Sequence, residues 1–371
     1  MQITINAQDL TDGLNIVGRA IAARPPKQIM EGILIEAMND EVILSATDGS
    51  LAIECTIMAS ITEPGRTVLP GKLFAEMIRK LPGGTVSIRV KDNFAATITC
   101  DKARYNLSGI DPVEFPEMPV IEGGTSFSFS QKTFRSMISH VAFAAAVDET
   151  RQILTGVLLD MTREEARMVA LDGYRLAMQK VEQQFDLPEG RDQLKAIIPS
   201  RVMNELSRIL PDEDTPFQLT FDRSRMQVAF GNTVLSTVLL AGEYIDYRKI
   251  IPTAFRSEAK IDRSSVQNAI DRASLMAREG KNNLIRMKFA PDSLTITSNA
   301  EMGDAMEEID AVLNGDPLEI AFNAKYITDV IRSIDDKELF VHLNSSISPC
   351  VFTPETGDDF VYLILPVRIF Q

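Results

Sequence analysis

The chain has 371 residues, 45% of them hydrophobic, which is length and apolar content for two or three globular cores. A formal net charge of -14 excludes a general polyanion binder, because a uniformly acidic surface repels phosphate; any nucleic-acid role needs its bases gathered on one surface. Cys55, Cys100 and Cys350 are odd in number, widely spaced and free of any C-x-x-C, a pattern that suggests neither a disulfide framework nor a zinc site and reads as buried thiols in a reducing compartment.

In chain order, alternation predicts a strand over Gln2 to Asn6, with no basic stretch and apolar run of a signal peptide. Leu10, Leu14, Val17 and Ile21 on one stripe predict a helix from Gln8 to Ala23, stopped by Arg24-Pro25-Pro26. Strands follow over Gly32 to Met38, Glu41 to Ala46 and Leu51 to Ile57, the first two joined through Asn39-Asp40 and the last two through Asp48-Gly49. Val68-Leu69-Pro70-Gly71 introduces a helix from Lys72 to Leu81, closed by Pro82-Gly83-Gly84. Strands over Thr85 to Val90, Ala95 to Cys100 and Ala103 to Ser108 lead to a Pro-rich linker, Asp111 to Pro119.

The same order then returns. A strand over Ser126 to Phe129 precedes a helix from Gln131 to Ala146, strands over Gly156 to Met161, Ala166 to Leu171 and Arg175 to Val181, and a helix from Arg201 to Leu210 introduced by Ile197-Ile198-Pro199-Ser200. Asp172-Gly173 repeats Asp48-Gly49 as a hairpin signal, since Asp-Gly supplies the positive φ of a tight two-residue turn. A third pass has a strand over Ala259 to Asp262, a helix from Ser264 to Arg278, strands over Leu284 to Phe289, Ser293 to Ser298 and Ala305 to Val312, a helix from Lys325 to Ile334, and strands over Leu339 to Leu343, Cys350 to Thr353 and Tyr362 to Val367. A repeat on the order of 125 residues is too long for a solenoid unit and right for duplicated domains. The expectation is α+β: three tandem domains over 1–122, 123–252 and 253–371. Val361 to Val367, the longest strongly apolar run, is too short to span a bilayer, so a cytoplasmic protein away from membranes is expected.

The second helix of each copy carries bases at matched places: Lys72 and Arg79, Arg201 and Arg208, Lys325 and Arg332. A spacing of i, i+7 returns to nearly the same side of a helix. With Arg24, Lys80, Lys132, Arg135 and Arg263 on or beside the helices, the helical segments sum to roughly +6 and the rest to roughly -20. Any one pair is ordinarily a solvated face; three matched pairs point to a track for phosphates, read without regard to base sequence.

Leu154-Thr155-Gly156, Asp172-Gly173-Tyr174-Arg175-Leu176-Ala177, the run from Gly242-Glu243-Tyr244 through Ile251-Pro252, and the terminal Leu365-Pro366-Val367-Arg368, in this order within a threefold repeat, resemble the bacterial DNA polymerase III beta sliding clamps along the whole chain. The resemblance implies a head-to-tail homodimeric ring with helices lining a hole around double-stranded DNA and sheets outside. The ring would tether the replicative DNA polymerase and be placed by an ATP-driven clamp loader, with no cofactor and no catalysis. It also implies a slot for linear peptides between the second and third domains, at Leu154, Leu171, Gly173, Tyr174, Arg175, Leu176, Ile245, Lys249, Ile250, Pro349, Leu363, Leu365, Pro366, Val367 and Arg368. Periodicity alone reads Leu154, Leu176, Leu363 and Leu365 as core. Tyr174 stands where the family commonly has His, Ile245 where it commonly has Pro, and Pro349 where a small polar residue occurs. The implied ring joint sets Lys102, Arg104, Tyr105 and Leu107 against Leu275 and Met276 of the other subunit, with Glu301, Asp304, Glu307 and Glu308 facing the bases. Phe370 and Gln371 extend past the Arg that often nearly ends such chains.

Two rival classes are open to the residues themselves. An enzyme would have to work with His140 and His342, without H-E-x-x-H or G-x-S-x-G; Gly65 to Lys72 misses a P-loop in spacing and has Leu73 where Ser or Thr is required. A protein-only scaffold would not need basic helices on an acidic body.

Overall fold

The computed structural model describes residues 1–22, 25–279 and 283–368. Its described helices are α1 Ala7–Val17, α2 Gly71–Arg79, α3 Gln131–Val141, α4 Ser200–Ile209, α5 Arg263–Glu279 and α6 Ala324–Arg332. The chain divides into two compact units, Met1–Thr133 with Arg208–Leu239 and Phe134–Ser207 with Leu240–Gln371.

In the first unit, Asn6 starts α1 by accepting from the Gln8 and Asp9 backbone N–H groups at 2.8 and 3.4 Å. Leu10, Leu14 and Val17 are buried, and Gly13 lets α1 approach the sheet: a Cβ there would meet Leu44 at 2.9 Å. The helix ends before the expected Ala23. The Gly18 N–H turns to the Leu14 and Ile16 carbonyls, and a 3-10 turn, Gly18–Ala20, follows. Strands Ser60–Glu63, Gln2–Asn6, Thr85–Val90, Ala95–Cys100 and Ala103–Ser108 form a five-stranded sheet in that order. An eight-stranded antiparallel sheet runs Thr125–Ser130, Pro216–Phe221, Arg225–Phe230, Thr233–Val238, Leu51–Met58, Glu41–Thr47, Gly32–Met38, Gly65–Pro70.

The three strands between Pro216 and Val238 extend the elements expected from the sequence, although Phe217, Leu219 and Phe221 do alternate inward. Leu51–Met58 pairs with Thr233–Val238, so a strand of the first copy continues into the second copy's sheet. The expected linker is a packed segment. Asp111 caps a 3-10 turn at Pro112–Glu114, and Phe115 is buried with Ile29, Met30, Leu34 and Val68.

In the second unit, one sheet runs Leu194–Pro199, Gly156–Met161, Glu165–Leu171, Arg175–Glu182, Phe360–Ile364, Cys350–Thr353, Glu338–Leu343, Ser257–Asp262, Gly303–Asn314, Ser293–Ala300, Leu284–Phe289, Leu318–Asn323. Arg175–Glu182 pairs with Phe360–Ile364, again joining two copies: Leu176 lies opposite Leu363. The α3 helix also stops short of its expected end, where Val141 leaves helical geometry and a 3-10 turn takes over at Ala142–Ala144. Cys55, Cys100 and Cys350 are buried free thiols.

Candidate functional site

The site grows from the turn after Glu165–Leu171. The tight turn forms one residue later than Asp-Gly: beyond the Leu171–Leu176 pair the Asp172 N–H donates to the Arg175 carbonyl at 3.2 Å, Gly173 and Tyr174 fill the turn, and the Asp172 Oδ1 closes it by accepting from the Tyr174 and Arg175 backbone N–H groups at 2.8 and 3.0 Å. Gly173 takes φ +93, the left-handed region, at no side-chain cost. Arg175 then enters the sheet. Its side chain, 6% exposed, donates to Asp172 Oδ2 at 3.1 Å, to Asp329 Oδ2 on α6 at 2.6 Å and to the Phe143 carbonyl at 2.7 Å. The guanidinium also lies over the Phe143 and Tyr326 rings, 5.3 and 4.7 Å from their centroids.

Of the residues expected to form the slot, Leu154, Leu171, Leu176 and Leu363 belong to one buried cluster with Val169, Tyr247, Val351 and Val361; the core reading of periodicity holds for Leu154, Leu176 and Leu363 and fails for Leu365, which is exposed at 37%. Arg175 is held within the chain by three of its N–H donors. The exposed rim is Tyr174 at 61%, Ile245 at 41%, Ile250 at 37% and Leu365 at 37%. Gly173, Lys249 and Arg368 are exposed, and Pro349, Pro366 and Val367 are half-buried. Lys249 is tied to Asp246 at 3.0 Å. Leu365 is drawn to the wall by its N–H to the Tyr174 carbonyl at 2.8 Å, and the Val367 N–H reaches the Ala321 carbonyl at 2.8 Å. Tyr174 stacks on Tyr326, centroids 6.0 Å apart at 21°. Tyr244 packs on the cluster, and burial, then the nearby Asp160 charge, pushes the Tyr247 hydroxyl up to about 12. Sequence reasoning missed Phe143, Tyr326 and Asp329. Their signal, an aromatic and an acid spaced i, i+3 on α6, has meaning only once Arg175 is beside it.

Lys72, Arg79, Lys80, Lys132, Arg201, Arg208, Lys325 and Arg332 are exposed, while Arg135 and Arg263 are half-buried; Arg24 lies outside the described residues. Neighbouring helices are tied by two of these bases: Arg79 donates to Asn15 on α1 at 3.1 Å, and Arg332 to Asp271 on α5 at 2.8 Å. Arg263 donates to Gln267 at 3.2 Å. α1 corrects the idea of uniformly basic helices: it carries Asp9 and Asp12 and no base, whereas each other described helix holds more bases than acids.

Two of the strand edges among the described residues carry the residues expected at the joint. Ala103–Ser108 ends the five-stranded sheet, with Lys102, Arg104 and Tyr105 exposed and Leu107 half-buried. Gly303–Asn314 pairs with Ser257–Asp262 only through Ala311 to Asn314, which leaves the stretch with Asp304, Met306 and Glu308 unpaired on that side. Leu275, Met302 and Met306 are exposed at 57%, 86% and 67%, Glu301 is exposed, and Met276 is half-buried. Glu307 is paired within the chain. Arg272 on α5 clasps it at 2.8 and 2.7 Å, and that hydrogen bond holds its carboxyl below the usual range.

His140 meets Ser136 and Asp335, and His342 meets Thr353 and Glu258. Gly65–Pro70 is a strand leading into α2. Among the described residues no acid, His and Cys cluster is suited to a metal, and no helix is long and apolar enough to cross a membrane.

The chain is a threefold α+β repeat with exposed bases on the second helix of each copy, and its second unit carries an apolar rim beside a buried Arg. Family models of the DNA polymerase III beta subunit match in three parts: the N-terminal domain over residues 1–119, the central domain over 128–246 and the C-terminal domain over 248–368. The chain belongs to the DNA polymerase III beta subunit family, the sliding clamps. It is 34% identical to the beta sliding clamp of Staphylococcus aureus over 380 aligned residues, with 100% of both chains covered, and 33% identical to that of Staphylococcus epidermidis at the same coverage. Among solved structures it is similar to the DNA polymerase sliding clamp from Bacillus subtilis, at 32% identity and a TM-score of 0.94 with 100% of each chain covered. It is also similar to a sliding clamp from Pseudomonas aeruginosa bound to griselimycin, at 25% identity and a TM-score of 0.92 with 100% of each chain covered.

Proposed function

We propose that two copies of this chain close head to tail in the cytoplasm into a ring around double-stranded DNA, each contributing three domains near 1–122, 123–252 and 253–371. The ring slides without sequence preference and tethers the replicative DNA polymerase, its loader and other partners through peptides seated at the Tyr174, Ile245, Ile250 and Leu365 rim. The observation that carries this reading is the recurrence of exposed base pairs at i, i+7 on α2, α4 and α6, on a chain whose net charge is -14. The joint is supported by opposite charge on two open edges, Lys102 and Arg104 on one, Glu301, Asp304 and Glu308 on the other. The rim is supported as a peptide site by its apolar residues above a closed core, the usual form of a peptide groove.

The test is topological. The wild-type protein, loaded on nicked circular DNA, is retained through gel filtration and released once the circle is cut open. Charge reversal at Lys72, Arg201 and Lys325 together weakens association while a peptide still binds. Equal retention on open linear DNA, or loss of peptide binding in place of DNA binding, would sink the reading.

A further inference from the structure

Each second helix carries the same three-charge spacing, a base, an acid four residues on and a base three beyond that: Lys72, Glu76, Arg79; Arg201, Glu205, Arg208; Lys325, Asp329, Arg332. An acid at i+4 from a base is ordinarily part of a surface helix pair. In the third copy it has another use. Asp329 accepts from Arg175 Nη1 at 2.6 Å, and Arg332 turns to Asp271 on α5. One turn earlier, Tyr326 stacks on Tyr174 and takes the Arg175 guanidinium over its face. α6 therefore holds both side chains of the slot wall from one face and presents Lys325 and Arg332 outward.

We propose that Asp329 is a positioning residue for the peptide slot, fixing Arg175 and through it the Tyr174 wall in the conformation that receives peptide; this rests on the slot reading above. The backbone of the wall is fixed independently, by pairing of Arg175 with Ile364 and by the Leu365 N–H on the Tyr174 carbonyl. What remains for side chains to decide is where the guanidinium and the phenol ring lie. Asp172 and the Phe143 carbonyl hold two sides of the guanidinium, and neither reaches the side facing α6. Neutralising Asp329 leaves Arg175 buried with two hydrogen-bond partners, so the fold persists while the wall loses its charged anchor on the helix and keeps only the Tyr326 ring there.

The chain has no tryptophan, so Tyr174→Trp provides a single emission reporter on the wall. In the full-length protein carrying it, Asp329→Asn is expected to shift the indole emission to the red; in the protein that keeps Tyr174, the same substitution is expected to weaken a fluorescein-labelled hexapeptide bearing Leu and Phe about tenfold, the scale of a lost charged hydrogen bond. Asp329→Glu, which keeps the charge, recovers part of both. Retention on closed circular DNA stays, because Lys325 and Arg332 are untouched. Unchanged emission with unchanged peptide affinity overturns the proposal, as does loss of DNA retention in both variants, which would mark a merely structural role in α6. If emission shifts but the peptide fails to bind even the wild-type protein, the hold on the wall stands and the slot reading fails.

Discussion

The Asp48 loop and the Asp172 loop are one device put to two uses. In each, the Asp N–H bonds the carbonyl three residues on, Asp48 to Leu51 at 3.0 Å and Asp172 to Arg175 at 3.2 Å. In each, the Asp Oδ1 takes two backbone N–H groups and the glycine sits at nearly the same φ, +94 and +93. The difference lies in two side chains. Ser50 bonds back to Asp48 and Leu51 is buried, so the first loop closes on itself. Tyr174 and Arg175 reach instead to α6 and α3's following turn, so the second loop becomes a wall. A turn motif thus specifies chain direction, and the residues it carries out of the turn specify function.

The comparison breaks hardest at its fourth position. Arg175→Leu leaves Asp172 and Asp329 facing an apolar side chain and is expected to destabilise the protein by about 3 kcal/mol in urea unfolding and to abolish peptide binding. Leu51→Ala is expected to lose a similar amount, about 3 kcal/mol, with peptide affinity kept at temperatures where the fold persists. Asp172→Ala and Asp48→Ala each remove two backbone acceptor contacts, about 2 kcal/mol. Asp172→Ala should be the larger by about 1 kcal/mol because Arg175 loses a partner too. The smallest effect sharpens the likeness: Gly49→Ala and Gly173→Ala should each lose about 1 kcal/mol, equal within error, since both introduce only left-handed strain. The Cβ at Gly173 meets nothing within 4 Å, and that at Gly49 meets Met30 at an ordinary 3.6 Å. Unequal losses would mean the loops are alike only in outline.

Much of this was legible in residue order. Strands Gly32–Met38, Thr85–Val90, Ala95–Cys100, Ala103–Ser108 and Leu284–Phe289 fall where alternation places them, and the second helices fall within two residues. Helix ends were less so, because Gly18 and the Val141 distortion end α1 and α3 through backbone hydrogen bonding that an apolar stripe does not register. The exposed rim and the buried leucines of the slot are not told apart by sequence: all are apolar or aromatic, and whether Tyr174, Ile245, Ile250 and Leu365 beside the strands stay open while Leu171, Leu176 and Leu363 within them are covered is decided by packing.

The sequence by itself determined the threefold repeat, the local elements, the matched bases and the turn chemistry, because periodicity, capping and φ preference act over a few residues. Only the tertiary structure decided that strands of successive copies share sheets, that Glu307 is clasped by Arg272, and that Arg175 is held within the chain. Those depend on partners far apart in the chain, Leu51–Met58 with Thr233–Val238, Arg175–Glu182 with Phe360–Ile364, Arg175 with Asp329. Such partners are chosen by the packing of the whole chain, which a local pattern does not carry.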